Sequence, residues 1–330
     1  MKNSIFQRLN NDEVCQTLHL EGEHYGNRFE NWHKIDTRRF SARSPLFSKI
    51  NSALYTDTFA PINVLAQRAY LAAARRLKSQ REFKTYFGDR IRGDIGDYIQ
   101  ARLYSFGVWE PNLSRFIESR IKPDTWAVDI GAHVGYFSLL MSRLAHRGHV
   151  KAIEASPTTF SQLRDHLDAS GRSNVTAINR AVTAEPGEVK LYNSKSGDRN
   201  TGNNSLIPPS GYTPYSTVQG DTLTNIIGIN YAKRVSFIKM DVEGSERPIL
   251  EEILSHRGSF AKRLTVVAEV SDANLDLVDR FLSAGFKCSV LDNHYGLDAY
   301  LAKRTAEPRP WAGERHPSAD LIFERQGEAA

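Results

Sequence analysis

Residues 128–140 read VDIGAHVGYFSLL: an apolar run that stops at an acid, a turn carrying Gly131 and Gly135, and the start of an amphipathic segment. The run TWAVDIG has the length and composition of a buried strand. In HVGYFSLLMSRLAHRG, which follows, Phe137, Leu140, Met141, Leu144 and Ala145 fall on one helical face. The same rhythm then repeats. HVKAIEA at 149–155 is a second strand, PTTFSQLRDHLDASG a helix, and NVTAINRAV a third strand. Short apolar strands alternating with helices of this length predict a parallel sheet covered on both faces.

Further along, GEVKLYNS reads as an additional strand, VSFIKMD (235–241) as a strongly apolar one, and SERPILEEILSH as a helix burying Ile249, Leu250, Ile253 and Leu254. LTVVAEV, the helix NLDLVDRFLSAGF, KCSVLD and ADLIFER complete seven main strands. No crossover helix is legible between the last two, so the final strand is expected to run antiparallel. The predicted fold is therefore α/β, with a doubly wound, seven-stranded, mostly parallel sheet of Rossmann-like type. The polar segment 194–220 reads as a long surface loop and a cover for a site. PINVLAQRAYLAAARRLKSQREFKTYFG, from Pro61, reads as a long helix with a basic face. These readings divide the chain into a mostly helical N-terminal extension at 1–95, a candidate substrate or interaction region, and a cofactor-binding domain at 96–330.

With 330 residues, 40% of them hydrophobic, the chain can bury a full core. No apolar run is long enough for a membrane-spanning helix and the first residues lack a secretory segment, so the expected compartment is the cytoplasm. Cys15 and Cys288 have no metal-ligand spacing, and His19, His24 and His33 complete none. No metal site is assigned. Asp241, Glu269 and either Asp292 or Asn293 are the acids and amide that a divalent ion would need brought together. The net charge of +5 is modest but locally concentrated, with eight Arg or Lys between residues 65 and 92. Arg75, Arg76 and Lys78 on the predicted helix are candidate contacts for an acidic substrate.

In a doubly wound sheet the turn after the first strand anchors the ligand, and glycine lets the backbone turn there without a side-chain clash. A dinucleotide fingerprint, G-x-G-x-x-G, needs a middle glycine beneath the pyrophosphate. Here that place is held by His133. The turn therefore suits a cofactor without phosphates, one built from an adenosine, an amino acid tail and a sulfonium, whose ammonium Asp129 could help position directly or through water. Glu154, ending the second strand, can accept the two hydrogen bonds of a ribose diol.

The segments VDIGAHVGYFSLL at 128, AIEASPTTFSQLRDHL at 152, NRAV at 179 and above all FIKMDVEGSERPIL at 237 resemble the FkbM-type methyltransferases, which are S-adenosylmethionine-dependent. The likeness runs from GVWEP at 107 to the terminal DLIFE, and His133 stands where the family commonly has Asn. The resemblance implies the class I methyltransferase fold and S-adenosyl-L-methionine as cofactor. It implies that Asp129, Gly131, Ala132, His133 and Gly135 form the cofactor turn, that Glu154 and Ala155 hold the ribose, and that Arg180, Ala181 and Val182 pass near the adenine. Asp241 to Gly244 would border the methyl-transfer site.

The implied reaction is O-methylation of a small polar metabolite bearing a hydroxyl, such as a sugar or phosphorylated sugar. An alcohol needs a base within hydrogen-bond reach as it loses its proton, and Asp241, Glu243, Glu269 and His133 are the candidates. Glu246 and Glu251 read as surface acids on the following helix, Glu246 favoured by the helix start. Lys239 reads as a local ion-pair partner of Asp241. An NAD-dependent oxidoreductase and a non-catalytic binding protein of the same fold are the competing readings. The expected partner is a small hydroxylated molecule. No base-pocket signature points to nucleic acid, and the sequence leaves room for a homo-oligomer.

Overall fold

The computed structural model describes residues 80–194, 205–207, 212–271, 274–292, 300, 306–313 and 318–325. Most of the helix expected from Pro61, with Arg75, Arg76 and Lys78, lies outside the described residues, as do Cys15, the three N-terminal histidines and Asn293.

Where that helix was expected to continue past residue 80, the chain instead forms an antiparallel hairpin, β1 (Gln80–Lys84) and β2 (Arg90–Asp94). From Phe83 to Gly93 every second residue is buried, a period of two in which the large apolar side chains Phe83, Phe87 and Ile91 also fall at helical spacing. Phe83, Phe87 and Ile91 belong to the same apolar cluster as Leu139, Leu140 and Leu163. Arg172 donates to both carboxylate oxygens of Asp89 at 2.7 Å, and Nε2 of His166 accepts the Arg92 N–H at 3.0 Å. The hairpin thus shares its core with the main domain, so residues 80–95 are not part of a separate helical extension.

Helix α1 (Tyr98–Phe106) begins where Asp97 accepts the Gln100 N–H at 2.9 Å, and it ends at the left-handed Gly107. Helix α2 (Pro111–Arg120) opens on a proline, preceded by a left-handed Glu110. Then come β3 (Trp126–Ile130), α3 (Tyr136–Leu144), β4 (His149–Glu154), α4 (Pro157–Ala169, capped by Ser156) and β5 (Val175–Asn179). β6 (Ala181–Val182), β7 (Gly187–Ser194) and β8 (Tyr212–Asp221) make a separate three-stranded sheet. Residues 212–220, read as the end of a loop, are therefore strand, held by backbone pairing with β7 that polar side chains do not advertise.

The short helices α5 (Leu223–Ile227) and α6 (Ile229–Ala232) lead to β9 (Val235–Met240), α7 (Glu246–Ser255), β10 (Leu264–Ser271) and α8 (Asp276–Ser283). β11 (Phe286–Leu291), the two-residue β12 (Arg309–Pro310) and β13 (Ser318–Arg325) close the chain. The large sheet has the order β12-β11-β13-β10-β9-β3-β4-β5, eight strands rather than seven because β12 adds a short edge. β3, β4, β5, β9 and β10 run parallel to one another, and β13 runs antiparallel to both β10 and β11.

Alternation along the strands loads both faces. Ala127 belongs to the cluster with Leu139 and Leu163, whereas Val128 and Ile130 join Ile249, Leu250 and Ile253 of α7. Fully burying each such aliphatic side chain contributes about 1.5–3 kcal/mol. The chain winds outward from β3 through β4 to β5, then returns to the other side of β3 with β9 and β10. The strand order therefore reverses between β3 and β9, and a crevice opens beyond their C-terminal ends.

Candidate functional site

A cleft of about 310 Å³ lies at this reversal. Its floor comes from Ile130, Gly131 and His133 after β3, Glu154, Ala155 and Ser156 after β4, and Asp241, Val242 and Glu243 after β9. Glu269 near the end of β10, the segment Arg180–Val182, and Tyr98, Ile99, Trp109 and Glu110 complete most of the wall.

The turn after β3 is built from unusual backbone. Gly131, His133 and Gly135 have φ of 72°, 50° and 90°. At Gly131 a Cβ would overlap the carbonyl oxygen of Asp241, where the end of β9 crosses under the turn and donates its Asp241 N–H to Ile130 O at 3.0 Å. His133 occupies the left-handed region that a middle glycine would otherwise fill, a conformation that His, Asn and Asp tolerate better than most side chains. Its N–H donates to Oε2 of Glu154 at 2.9 Å, while the Ser156 N–H donates to Oε1 at 2.9 Å. Glu154 is thereby locked in place with lone pairs still facing the cleft. Burial pushes it up to about 7, against the pull of those two amides. Burial also lowers His133 below the ordinary histidine value, so its ring is neutral at pH 7.

Asp129, Ala132 and Gly135 do not line the cleft. Asp129 is fully buried behind the turn, where Ser138 donates to its Oδ2 at 2.5 Å and Nζ of Lys239 lies 3.7 Å from its Oδ1. Asp129 therefore presents no exposed surface to the cleft. The side chain instead anchors the turn to β9. Burial raises its pKa, with Lys239 and Ser138 opposing.

Lys239 does more than pair with Asp241. Its ammonium is 3.7 Å from both Asp129 and Asp241 and 3.4 Å from the Gly131 carbonyl, with the side chain 5% exposed. Burial alone would lower its pKa, but Asp241 and Asp129 hold it above the usual lysine value. An alternating strand pattern puts Lys239 and Asp241 on one face; what the sequence does not reveal is that Asp129, on the neighbouring strand, comes into register beside Lys239.

The segment after β9 repeats the strained geometry: Glu243 is left-handed at φ 51° and Gly244 at 92°. Glu246, read as a surface acid, is 3% exposed. Its Oε1 accepts the N–H groups of Gly244 at 3.1 Å and Val242 at 3.3 Å, which are loop amides that would otherwise be unpaired. Glu251, by contrast, is on the surface side, where it binds Arg247 and Arg280. Glu243 opens into the cleft, and poor solvation there, with the charges of Asp241, Glu269 and Glu246, pushes it up to about 8. Burial and Asp241 push Glu269 up to about 7. Behind the wall, burial, Glu110 and Glu269 hold Asp320 well above the carboxylate range.

Of the residues singled out from sequence, the cleft brings together Gly131, His133, Glu154, Ala155, Ala181, Val182, Asp241, Glu243 and Glu269. Sequence reading missed Tyr98, Trp109 and Glu110, and it gave Lys239 its pairing with Asp241 but not the one with Asp129. The only local signal for Glu110 was its place before Pro111 at a helix start. Among the described residues, no group of three or more His, Cys, Asp or Glu side chains is arranged to hold a metal ion, and no helix is long and apolar enough to cross a membrane.

Residues 129–288 match the family model of the methyltransferase FkbM domain. Methyltransferase 1 of Beauveria bassiana (strain ARSEF 2860) is 27% identical over 172 residues, covering 46% of this chain and 67% of that protein. Two solved structures are also similar. A methyltransferase FkbM from Methylobacillus flagellatus KT has TM-score 0.37 and 16% identity over 62% of this chain and 44% of that one. A precorrin-6y C5,15-methyltransferase from Geobacter metallireducens GS-15 has TM-score 0.38 and 13% identity over 66% and 90%. By the match over residues 129–288, the chain carries a methyltransferase FkbM domain and is an S-adenosylmethionine-dependent methyltransferase.

Proposed function

We propose that the protein transfers a methyl group to a hydroxyl oxygen of a small polar metabolite, a sugar or a comparable polyol. The observation that carries this reading is that Glu154 and the acids Asp241, Glu243 and Glu269 face one cleft from opposite sides of the strand reversal. The residues fit the cofactor. Glu154 has both carboxylate oxygens fixed by backbone amides and offers its remaining lone pairs to a diol, and Gly131 and His133 supply a close-approaching turn without a side chain at Gly131. Ala155, Ala181 and Val182 give an apolar wall for a flat base. Bound there, S-adenosylmethionine supplies an electrophilic methyl on a positively charged sulfur.

The chain's own part is to hold the acceptor in line, keep water out and remove a proton. Glu269 is assigned as the base. Its upward shift to about 7 keeps it partly ionised at neutral pH while making it basic enough to accept a hydroxyl proton. Glu243, pushed up to about 8, is largely protonated at pH 7 and donates a hydrogen bond to orient the acceptor. Asp241, engaged by Lys239, completes that side.

The test is incubation of the protein with methyl-labelled S-adenosylmethionine and a panel of hydroxylated metabolites, followed by mass detection of one added methyl. Label on oxygen supports the reading. Label only on nitrogen or carbon, or calorimetric binding of NAD with none of S-adenosylhomocysteine, overturns it.

A further inference from the structure

The turn at 131–135 is held from three directions. The Ile153 carbonyl of β4 accepts the N–H groups of Gly131 and Ala132 at 3.0 and 2.9 Å, and the end of β9 crosses under Gly131. The third support is α4. Leu163, His166 and Leu167 fall on one buried face of that helix, spaced three and four residues from the first. A Cβ at Gly135 would meet the Leu163 side chain at 2.7 Å, so the helix lies directly against the turn.

His166 is the polar member of that face, 6% exposed. Its Nε2 accepts the Arg92 N–H at 3.0 Å, and a backbone N–H can only donate. A neutral ring then carries its proton on Nδ1, 2.8 Å from the Val134 carbonyl, which can only accept. The Arg92 carbonyl is also 3.0 Å from Nε2, but a proton placed there would face the hydrogen of the Arg92 amide. One imidazole therefore joins β2 of the hairpin to the middle of the turn.

Val134 separates His133 and Gly135, which are left-handed at φ 50° and 90°. A residue other than glycine keeps such a φ only where its surroundings fix it. The bond from His166 fixes the peptide that follows Val134. Without it the turn is free to unwind at His133, and the His133 N–H loses its aim at Oε2 of Glu154.

Resting on the assignment of this turn and Glu154 to the cofactor, we propose that His166 is a positioning residue for S-adenosylmethionine: through Val134 it sets the His133 amide against Glu154, and through Arg92 it makes the hairpin at 80–94 part of the cofactor site. The hairpin precedes residues 129–288, which match the family model, so this brace comes from outside the matched domain. The Asp89–Arg172 pair anchors the same hairpin to the chain after α4 and serves as the internal control.

The experiment uses the full chain with S-adenosylhomocysteine as probe, affinity being read by calorimetry and stability by urea midpoint. His166→Leu keeps much of the side-chain volume and removes both bonds; its affinity is expected to fall on the order of tenfold. His166→Gln has a donor for Val134 and an acceptor for Arg92 and should recover most of that loss. Asp89→Asn should cost stability and leave affinity at the wild-type value. Because His166 acts through Glu154, the loss in the double variant His166→Leu/Glu154→Gln should be smaller than the product of the two single losses. Should His166→Leu fail to fold, the wild-type chain still decides. By reciprocity, S-adenosylhomocysteine should slow hydrogen exchange at the Arg92 amide more than at the Asp89 amide, which is bonded to Thr85 within the hairpin.

Wild-type affinity in folded His166→Leu, no recovery in His166→Gln, an equal loss in Asp89→Asn, single losses that multiply in the double variant, or equal protection of the two amides overturns the proposal while leaving the cofactor reading in place. Failure of the wild-type chain to bind S-adenosylhomocysteine overturns that reading itself, and this proposal with it.

Discussion

The turn after β3 and the turn after β9 solve one problem in two ways. Each bends sharply off the end of a parallel strand, each holds a left-handed residue other than glycine (His133 at φ 50°, Glu243 at 51°), and each leaves loop amides that a buried carboxylate must accept. In the first, the carboxylate is Glu154, brought from the next strand and left facing the cleft. In the second it is Glu246, from the first turn of the turn's own helix, sealed from the cleft at 3% exposure. The same device therefore serves a ligand in one place and only the backbone in the other. What separates the roles is which side of the strand end the acid comes from, not its type.

Lys239 is what joins the two turns, and removing it is expected to have the largest effect. Lys239→Met leaves Asp129 buried with only Ser138 against its charge and releases Asp241. A loss of about 3–5 kcal/mol in unfolding free energy is expected, as for other buried pairs deprived of one partner. The deficit should shrink as the pH falls, because a protonated Asp129 no longer needs a counter-ion. A deficit independent of pH would show that the two turns are held together by packing and not by this charge.

Gly131→Ala attacks the crossing point directly. The added methyl meets the Asp241 carbonyl, which is backbone and cannot swing away, and the residue must keep φ at 72°. A destabilisation on the order of 3 kcal/mol is expected from strain of this kind. Affinity for S-adenosylhomocysteine should fall as well, both read from urea midpoints and calorimetry on one preparation. Wild-type affinity in a destabilised protein would mean that the turn recovers its shape independently of β9.

The two carboxylates themselves give the sharpest contrast. Glu246→Ala strands two amides away from the ligand, so about 1–3 kcal/mol of stability should be lost with little change in S-adenosylhomocysteine affinity once the protein is folded. Glu154→Gln keeps one acceptor oxygen but gives up the carboxylate that we assign to the ribose diol, so affinity should fall about tenfold or more. If both substitutions cost stability alone, the distinction between a ligand-facing and a structural acid is lost.

How far these differences could be read from sequence follows from how local they are. The strands around Asp129 and Met240 and the helix carrying Ile249, Leu250 and Ile253 were legible because strand runs and helical faces are patterns within a few turns of chain. So was the pairing of Glu154 with the glycine turn, since adjacent parallel strands end side by side. The hairpin at 80–94 was not, because its buried Phe83, Phe87 and Ile91 stand four residues apart, a spacing that also fits one face of a helix. Nor was the burial of Glu246: a carboxylate at a helix start looks the same on paper whether it faces water or folds back onto the preceding loop. The double pairing of Lys239 depends on cross-strand register between β3 and β9, which no single stretch encodes.

The smallest expected effect is also the one that links the turns to chemistry. Glu154 and Glu269 stand near 7 and Glu243 near 8 in the folded protein, all above the ordinary value of 4.5. The folded state therefore binds these protons more tightly than the unfolded chain does. That stabilisation is fully present below about pH 4.5 and is lost as the pH rises through 7 to 8. Methyl transfer by an ionised Glu269 has the opposite dependence, since kcat/KM should climb as the pH passes 7. The ligand-free protein is thus expected to lose stability over the interval in which it gains activity. In Glu269→Gln the rate profile should flatten near pH 7, while the urea midpoint loses only part of its slope, because Glu154 and Glu243 still titrate there. A rate profile that still rises through 7 in this variant would move the base to Glu243 or His133.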